Sequence, residues 1–237
     1  SIHHYKEDIT ADKLLKIVEQ LNNDSSVHGI IVQQPLPAHI DTYKIVAATD
    51  PKKDVDGFHE KSPFAPPIAA AVLEVLHNIY SSSEGVRRPN REVLDSPAKR
   101  DRSNNNDFNT WLKRKTLVII GKGGTGGKPI REAIENRRAS VTVIDSKTEH
   151  PASLLKEADI VISCVGRPSP VNFADLKKDA ILIGVGMYRG EDGKLHADYD
   201  EKTIQDTAAY YTPVPGGIGP VNVAMLLKNA VDAAKEA

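Results

Sequence analysis

The second half of the chain alternates apolar runs with segments of helical periodicity, and this alternation constrains the fold more than any other feature. Strands are predicted at residues 116–120, 140–144, 160–165 and 180–185. Helices are predicted between the first three, at residues 128–136 and 151–157. Strands that alternate with helices form βαβ units, whose strands are parallel. We therefore predict an α/β fold with a parallel sheet.

A glycine-rich turn follows the first of these strands. Residues 121–126, Gly-Lys-Gly-Gly-Thr-Gly, form a GxGxxG pattern between a strand and a helix, the context of a dinucleotide-binding turn. In this pattern Gly121 permits the tight turn, Gly123 lets the backbone approach a pyrophosphate, and Gly126 is expected to allow close helix–strand packing. The next helix would offer its free N–H groups to phosphate. The pattern predicts a Rossmann domain that binds NAD or NADP, although a turn without a ligand is an alternative.

Asp145 ends the second predicted strand, at the position where dinucleotide-binding proteins place an acidic residue, about twenty residues beyond the glycines. Such a carboxylate hydrogen-bonds ribose hydroxyls. The alternative is that Asp145, or Ser146 beside it, only caps the helix that follows. The predicted cofactor-binding set also includes Lys122 within the turn, Ser146 beside Asp145, and Gly166 after the third strand.

The first eighty residues have fewer strand signals. Apolar residues at helical spacing predict one helix over residues 10–22, with Thr10 as its N-cap, and another over residues 66–80. Residues 29–32, Gly-Ile-Ile-Val, predict a short buried strand.

Composition then marks the domains. We expect a partial substrate domain at residues 1–80, completed by a C-terminal helix within 220–237. A mobile polar insertion or linker at residues 81–110, rich in Ser, Asn, Arg and Pro, separates it from a Rossmann domain at 111–219.

Three further segments go beyond a generic dinucleotide-binding fold. They are residues 32–37 (Val-Gln-Gln-Pro-Leu-Pro), 50–58 (Asp-Pro-Lys-Lys-Asp-Val-Asp-Gly-Phe) and 213–220 (Pro-Val-Pro-Gly-Gly-Ile-Gly-Pro). Together and in this order they resemble the methylenetetrahydrofolate dehydrogenase/methenyltetrahydrofolate cyclohydrolase family. The resemblance runs from about residue 24 to the C-terminus, apart from the polar insertion.

This resemblance implies a two-domain enzyme of one-carbon metabolism and purine biosynthesis, usually a homodimer. Such enzymes oxidise methylenetetrahydrofolate to methenyltetrahydrofolate with NAD(P)+, and many then hydrolyse the product to formyltetrahydrofolate. By the same resemblance, Gln33 matches a glutamine that orients the catalytic lysine, and Asp56 matches the aspartate that binds the amino edge of the pterin. The loop that closes over substrate and nicotinamide matches Pro215, Gly216, Gly217 and Pro220.

The chain also departs from the family pattern. The family's catalytic lysine and its partner tyrosine lie upstream of Gln33, and neither Lys6 nor Lys13 has a tyrosine at the required spacing. Hydride transfer chiefly needs alignment of substrate and cofactor, whereas hydrolysis also needs proton handling. The sequence therefore favours the dehydrogenase activity over the hydrolase activity. The alternatives are a catalytically impaired nucleotide- or folate-binding homologue and another Rossmann oxidoreductase.

Two departures concern the choice of cofactor. Lys122 stands where the family usually has arginine, and Asp145 stands where it usually has histidine. A carboxylate would repel the 2′-phosphate of NADP and favour NAD, whereas family habit favours NADP. Both cofactors remain open.

Charge and cysteine content exclude other classes of protein. The formal net charge of −1 gives no reason to expect a nucleic-acid or membrane-surface partner. The single cysteine, Cys164, lies in an apolar run and is expected to be a buried strand residue in a protein of the reducing cytoplasm. The eight histidines show no metal-ligand spacing, so no metal is expected.

Overall fold

A computed structural model describes residues 1–85, 105–168 and 170–236 of the 237-residue chain. The chain divides into two compact units, residues 1–67 with 223–237, and residues 68–222. No helix in these described ranges combines the length and the apolarity needed to cross a bilayer.

The elements are numbered in chain order. The helices are α1 (Ala11–Asn23), α2 (Thr42–Ala48), α3 (Pro67–Gly85), α4 (Asn105–Lys113), α5 (Gly127–Glu135), α6 (Pro151–Glu157), α7 (Glu201–Ile204) and α8 (Ile218–Glu236). The strands are β1 (Leu117–Ile120), β2 (Val141–Ile144), β3 (Ile160–Ser163), β4 (Ala180–Gly184), β5 (Met187–Arg189), β6 (Leu195–Ala197) and β7 (Ala208–Tyr211).

The larger unit is built on a five-stranded parallel sheet with the order β2-β1-β3-β4-β7. Every residue of β1, β3 and β4 is buried, as expected for strands covered on both faces. Side chains of these strands form one core with residues of the flanking helices, such as Leu155 of α6 and Ile204 of α7. The predicted α/β fold with a parallel sheet is confirmed. The predicted strands and helices of this half agree with the structure to within two residues.

The strand order creates a switch point beside β1. The chain leaves β1 for β2 on one side and later returns to β3 on the other side. Open α/β sheets bind ligands outside the carboxyl ends of their strands at such a point. The loops after β1 and β3 are therefore the expected ligand-binding loops of this unit.

The smaller unit is organised around α1. Thr10 caps its N-terminus through a bond from the Lys13 N–H, as predicted. At the other end, the Lys53 ammonium donates to three carbonyl groups at and after the last turn, 2.7–3.1 Å away. A cation at this end also complements the helix dipole. Val18 of α1 packs against Ile40 and Ile45 in the core.

The predicted strand at residues 29–32 is wrong. Ile30 is buried and forms one isolated parallel bridge with Asp54, but Ile31 is 48% exposed. In the described part of the chain the segment has no other pairing partner, and a single bridge does not make a strand. β-branched side chains favour a strand only where a neighbouring ladder is available.

Both ends of the predicted polar insertion at residues 81–110 are helical. Helix α3 continues to Gly85, and α4 begins at Asn105. Phe108 and Trp111 anchor α4, because their rings pack within 6 Å of the Tyr80 ring on α3. Residues 86–104, with the mobility predicted for them, lie outside the described residues.

Candidate functional site

The glycine-rich turn lies at the switch point of the sheet. Gly121 follows β1 with φ +95°, and its N–H donates to the carbonyl of Ile144 at the end of β2. A β-carbon on Gly121 would lie 3.0 Å from the carbonyl oxygen of Cys164, which follows β3. A β-carbon on Gly123 or Gly124 would have no heavy atom within 4 Å. The turn is therefore tightly fitted at its base and open at its tip.

The role predicted for Gly126 belongs to its neighbour. A β-carbon on Gly126 would make an ordinary 3.6 Å contact with the Cys164 β-carbon. A β-carbon on Gly127 would lie only 2.0 Å from the Gly121 carbonyl oxygen, so Gly127 is the residue that allows the close approach. Gly126 is instead the N-cap residue of α5. The adjacent glycines 126 and 127 are visible in the sequence, but the GxGxxG spacing selects the first of them.

Lys122 and Asp145 form an ion pair beside this turn. The Lys122 ammonium lies 2.7 Å from Oδ2 of Asp145, while Oδ1 accepts bonds from the Lys147 N–H and the Thr148 hydroxyl. The bond from Lys122, followed by the Lys147 N–H, lowers the pKa of Asp145 to about 2. Asp145 is therefore an anion at neutral pH, held where a ribose-binding carboxylate is expected.

The alternative helix-capping roles of Asp145 and Ser146 are wrong. Helix α6 has His150 as its N-cap residue, and no side chain caps it. Asp145 closes the preceding turn instead, and Ser146 is exposed.

The loop after β3 is held by a carboxylate that the sequence analysis missed. Asp198 is fully buried and accepts bonds from the Ser163 hydroxyl at 2.7 Å and from the Val165 and Gly166 N–H groups, both at 2.9 Å. Gly166, a predicted cofactor-binding residue, has φ +66°. The available sequence signal was a polar serine ending an otherwise apolar strand.

Cys164 lies one residue beyond β3 and is partly buried, whereas a buried strand position was expected. Burial, and secondarily the Asp198 charge, raises the pKa of its thiol to about 12. The thiol is therefore protonated at neutral pH and is a poor nucleophile.

The Pro-Gly-Gly loop follows β7 in the same unit. The Val214–Pro215 peptide bond is cis, and Gly216 and Gly217 have φ values of +116° and +37°. A β-carbon on Gly217 would lie 2.5 Å from the Pro213 carbonyl oxygen, so this position requires glycine. Pro215 and Gly216 are exposed in the loop, and Pro220 is exposed in the first turn of α8.

Asp56 belongs to the smaller unit, in a loop beside the buried Asp54. Among the described residues, none donates a hydrogen bond to its carboxylate. Partial burial, and secondarily the nearby charge of Asp54, raises the pKa of Asp56 to about 6. An unpaired carboxylate of this kind can accept two N–H bonds from a ligand.

Helix α8 supports the Asp56 loop through one side chain, which binds a backbone carbonyl before Asp56 and another after it. The Asn229 side-chain amide donates to the carbonyl of Val55 at 2.9 Å and to that of Ala65 at 3.0 Å. Gly57 has φ +71°, and a β-carbon there would lie 2.6 Å from the Phe64 carbonyl oxygen. Asn229 gave no signal in the sequence, because its partners are 174 and 164 residues away.

Gln33 is exposed in the smaller unit, next to the cis Gln34–Pro35 peptide bond. Its side-chain amide donates to the Gln34 carbonyl, 2.9 Å away. Its role in orienting a lysine therefore stays a prediction.

Two family models match the chain. The model of the tetrahydrofolate dehydrogenase/cyclohydrolase catalytic domain matches residues 1–56. The model of the NAD(P)-binding domain of the same family matches residues 105–237.

Individual relatives agree with the family models. The bifunctional protein FolD of Lactococcus lactis is 37% identical over 236 residues, covering 99% of this chain and 75% of the relative. FolD of Oceanobacillus iheyensis is 38% identical over 238 residues, with coverage of 97% and 73%.

Solved structures that resemble this chain belong to the same family. The bifunctional FolD of Campylobacter jejuni has a TM-score of 0.79 at 33% identity, covering 97% of this chain and 75% of that chain. The Trypanosoma brucei FolD, solved with NADP cofactor and an inhibitor, has a TM-score of 0.75 at 30% identity, covering 97% and 74%.

Proposed function

We propose, since the chain belongs to the tetrahydrofolate dehydrogenase/cyclohydrolase family, that it oxidises methylenetetrahydrofolate to methenyltetrahydrofolate with NAD(P)+. Family membership makes it an NAD(P)-dependent enzyme of one-carbon metabolism, with cyclohydrolase as the second activity. One observation carries the assignment of residues: the glycine turn and the Lys122–Asp145 pair lie at the switch point of a parallel sheet.

The residues at the switch point fit a dinucleotide. The open tip at Gly123 and Gly124 leaves room for a pyrophosphate, and the N-terminus of α5 offers it a positive dipole end. The predicted set of free N–H groups at this helix start is reduced, because the Lys128 N–H donates to the Gly123 carbonyl at 3.0 Å and Pro129 has no N–H. The proposal assigns the ribose hydroxyls to the Asp145 carboxylate, whose charge the Lys122 ammonium balances. When bound, NAD(P)+ supplies the hydride acceptor. The chain's own part in this step is to bind, align and exclude water.

For the folate, we propose Asp56 as the group that binds the pterin. Its carboxylate has no donor among the described residues, and a pterin amino edge offers a pair of N–H groups that match two carboxylate oxygens. The proposal also assigns the backbone of the exposed Pro215–Gly216 segment to the substrate and nicotinamide. Glycine there permits a backbone conformation in which a flat ligand can approach closely.

The cyclohydrolase step makes a further demand. Water must lose a proton as it adds to the methenyl carbon, so a general base is needed. Gln33 is proposed to orient that group, as the resemblance implies. The two activities share the folate site, but only the hydrolysis adds the need for this base, and each can be measured separately.

The cellular setting rests on the family resemblance and on composition. We propose a homodimer in the cytoplasm that acts on a small folate and supplies purine biosynthesis. The chain has a single cysteine, Cys164, and so cannot form a disulfide within itself, which is consistent with a reducing compartment.

The test is direct. The purified chain is given methylenetetrahydrofolate with NAD+ or NADP+, and formation of reduced cofactor is followed by absorbance. Loss of methenyltetrahydrofolate, supplied alone, measures the hydrolase. Turnover that Asp56→Ala weakens supports the proposal. Folate binding without turnover would indicate the impaired homologue. Turnover of another substrate that is insensitive to Asp56→Ala would indicate a different oxidoreductase.

A further inference from the structure

A four-residue segment in the larger unit, Asp198–Glu201, contacts both the loop after β3 and the Pro-Gly-Gly loop. We propose that Asp198 and Glu201 are positioning residues of the dehydrogenase site, Asp198 for the cofactor loop and Glu201 for the substrate loop. This inference rests on the proposed function, because that function gives the two loops their ligands.

Asp198 organises the loop after β3 by hydrogen bonds alone. Its carboxylate accepts three bonds from that strand end and loop, and no described Lys, Arg or His forms an ion pair with it. A β-carbon on Gly186 would lie 2.2 Å from its Oδ2 atom, so the backbone of Gly186 packs directly against the carboxylate. A buried anion is costly unless hydrogen bonds satisfy it. Because Asp198 directly follows β6, its hydrogen bonds tie the position of the loop to that of β6.

The loop that Asp198 holds borders the glycine turn. The Val165 and Gly166 N–H groups both point to the carboxylate, which fixes Gly166 at positive φ. The preceding carbonyl, of Cys164, is the group against which Gly121 packs. A change in the hydrogen bonds of Asp198 would therefore shift the Cys164 carbonyl and the glycine turn that packs against it. That turn is the proposed binding site of the cofactor.

Glu201 holds the other loop. Its Oε1 atom accepts a bond from the Val214 N–H at 3.0 Å, directly before Pro215. Asp200 caps α7 through the Lys202 N–H at 3.0 Å and thereby fixes the helix that carries Glu201.

Tyr199 anchors the start of the same loop. Its hydroxyl donates to the Thr212 carbonyl, and the Thr212 hydroxyl accepts the Gly184 N–H at 2.8 Å. The loop is therefore attached at two points to the segment that also binds the cofactor loop. Because the segment is short, it sets the spacing between the two loops.

The experiment uses Asp198→Asn, Glu201→Ala and Glu201→Gln in the full chain. Cofactor affinity is measured by calorimetric titration without folate, and kcat and KM by steady-state assay. Asn keeps the shape of Asp198 but loses an acceptor, and we expect Kd for NAD(P)+ to rise roughly tenfold, the equivalent of one hydrogen bond. Glu201→Ala should leave that Kd within about twofold and lower kcat/KM for the folate roughly tenfold. Glu201→Gln keeps an acceptor oxygen and should restore most of the loss.

Should Asp198→Asn fail to fold, Ser163→Ala removes one of the three donors with little change in volume, and a smaller rise in Kd is expected. An unchanged Kd in folded Asp198→Asn or Ser163→Ala would overturn the role of Asp198. Equal damage from Glu201→Gln and Glu201→Ala would overturn that of Glu201. Absence of turnover in the unmodified chain would count against the proposed function, whereas wild-type values of Kd and kcat/KM in all the variants would overturn only this inference.

Discussion

The ammonium group of Lys122 lies 2.7 Å from Oδ2 of Asp145, so the cation and the anion that we propose to face the cofactor ribose are paired with each other. The pKa of Asp145 is about 2, which keeps the pair charged over the working range of pH. Lys122 therefore occupies part of the acceptor capacity of Asp145, and Asp145 neutralises the positive charge of Lys122. An unmodified ribose needs an acceptor for its hydroxyls, whereas the 2′-phosphate of NADP needs a cation.

Replacing one partner should shift the choice of cofactor in a defined direction. In Asp145→Asn, the repulsion of a phosphate with about two negative charges disappears and Lys122 becomes free to bind it. The ratio of kcat/KM for NADP+ to that for NAD+ should rise roughly tenfold. Lys122→Met should lower the same ratio. Lys156→Met is the matched control, since it removes an equal charge from a lysine paired elsewhere, with Asp175. Unchanged ratios in both Asp145→Asn and Lys122→Met would contradict the assignment of the pair.

A second prediction concerns the base of the glycine turn. In Gly127→Ala, the new methyl group would meet the Gly121 carbonyl oxygen at 2.0 Å, and backbone must shift to relieve the clash. We expect a loss of about 2–3 kcal/mol in the free energy of unfolding, as for other overpacked sites, together with loss of cofactor binding. Gly124→Ala is the control, because a β-carbon there has no heavy atom within 4 Å. Urea unfolding measures both variants. Equal stability of the two would show that the turn is not tightly fitted at Gly127.

The sheet could be predicted from the sequence, because β1, β3 and β4 are short, mainly apolar runs and segments of helical periodicity separate β1 from β2 and β2 from β3. The same local pattern failed at residues 29–32, since a ladder requires a partner that local pattern does not reveal. The GxGxxG spacing located the turn but placed the tight contact one residue too early. These errors arise where the outcome depends on contacts between segments.

The supporting residues of the site could not be predicted for the same reason. Asp198 binds groups 32–35 residues away in the chain, and Asn229 binds carbonyls 164 and 174 residues away. Such partners are brought together only by folding. By contrast, the residues proposed to touch ligand lie in short motifs, which can be recognised without knowing the fold.

Asn229 provides the third prediction. Asn229→Ala removes the donors of both the Val55 and the Ala65 carbonyl, on either side of the Asp56 loop. The free energy of unfolding should fall by about 1–3 kcal/mol, and KM for the folate should rise. The Kd for NAD(P)+ should stay unchanged, because these contacts are confined to the smaller unit. Lys228→Ala, which removes only an exposed ion pair with Asp232 on the same helix, should have little effect on either quantity. A higher cofactor Kd in Asn229→Ala would show that the residue acts more widely.

The fourth prediction is a pH dependence of folate binding that originates at Asp56. The pKa of this carboxyl is about 6 in the folded chain, because burial and the charge of Asp54 disfavour its anion. If the anion binds the pterin, kcat/KM for the folate should fall with decreasing pH below about 6, approaching tenfold per pH unit. Asp56→Asn should have a lower kcat/KM and should lose this dependence. A wild-type profile that is flat through this range would contradict the role of Asp56.

The same pKa makes an independent prediction about stability. The folded pKa of about 6 lies above the ordinary value of 3.8, so between these values the folded chain binds more protons than the unfolded chain. The stabilisation from this carboxyl is therefore fully present below about pH 4 and is lost as pH rises through about 6. After allowance for partial exposure of the group, the change is about 1–2 kcal/mol. Urea unfolding from about pH 4 to about pH 8 should show this decline in the wild type relative to Asp56→Asn. The asparagine amide of the variant cannot titrate in this range. Parallel curves for the two proteins would therefore show that the Asp56 carboxyl does not have the raised pKa.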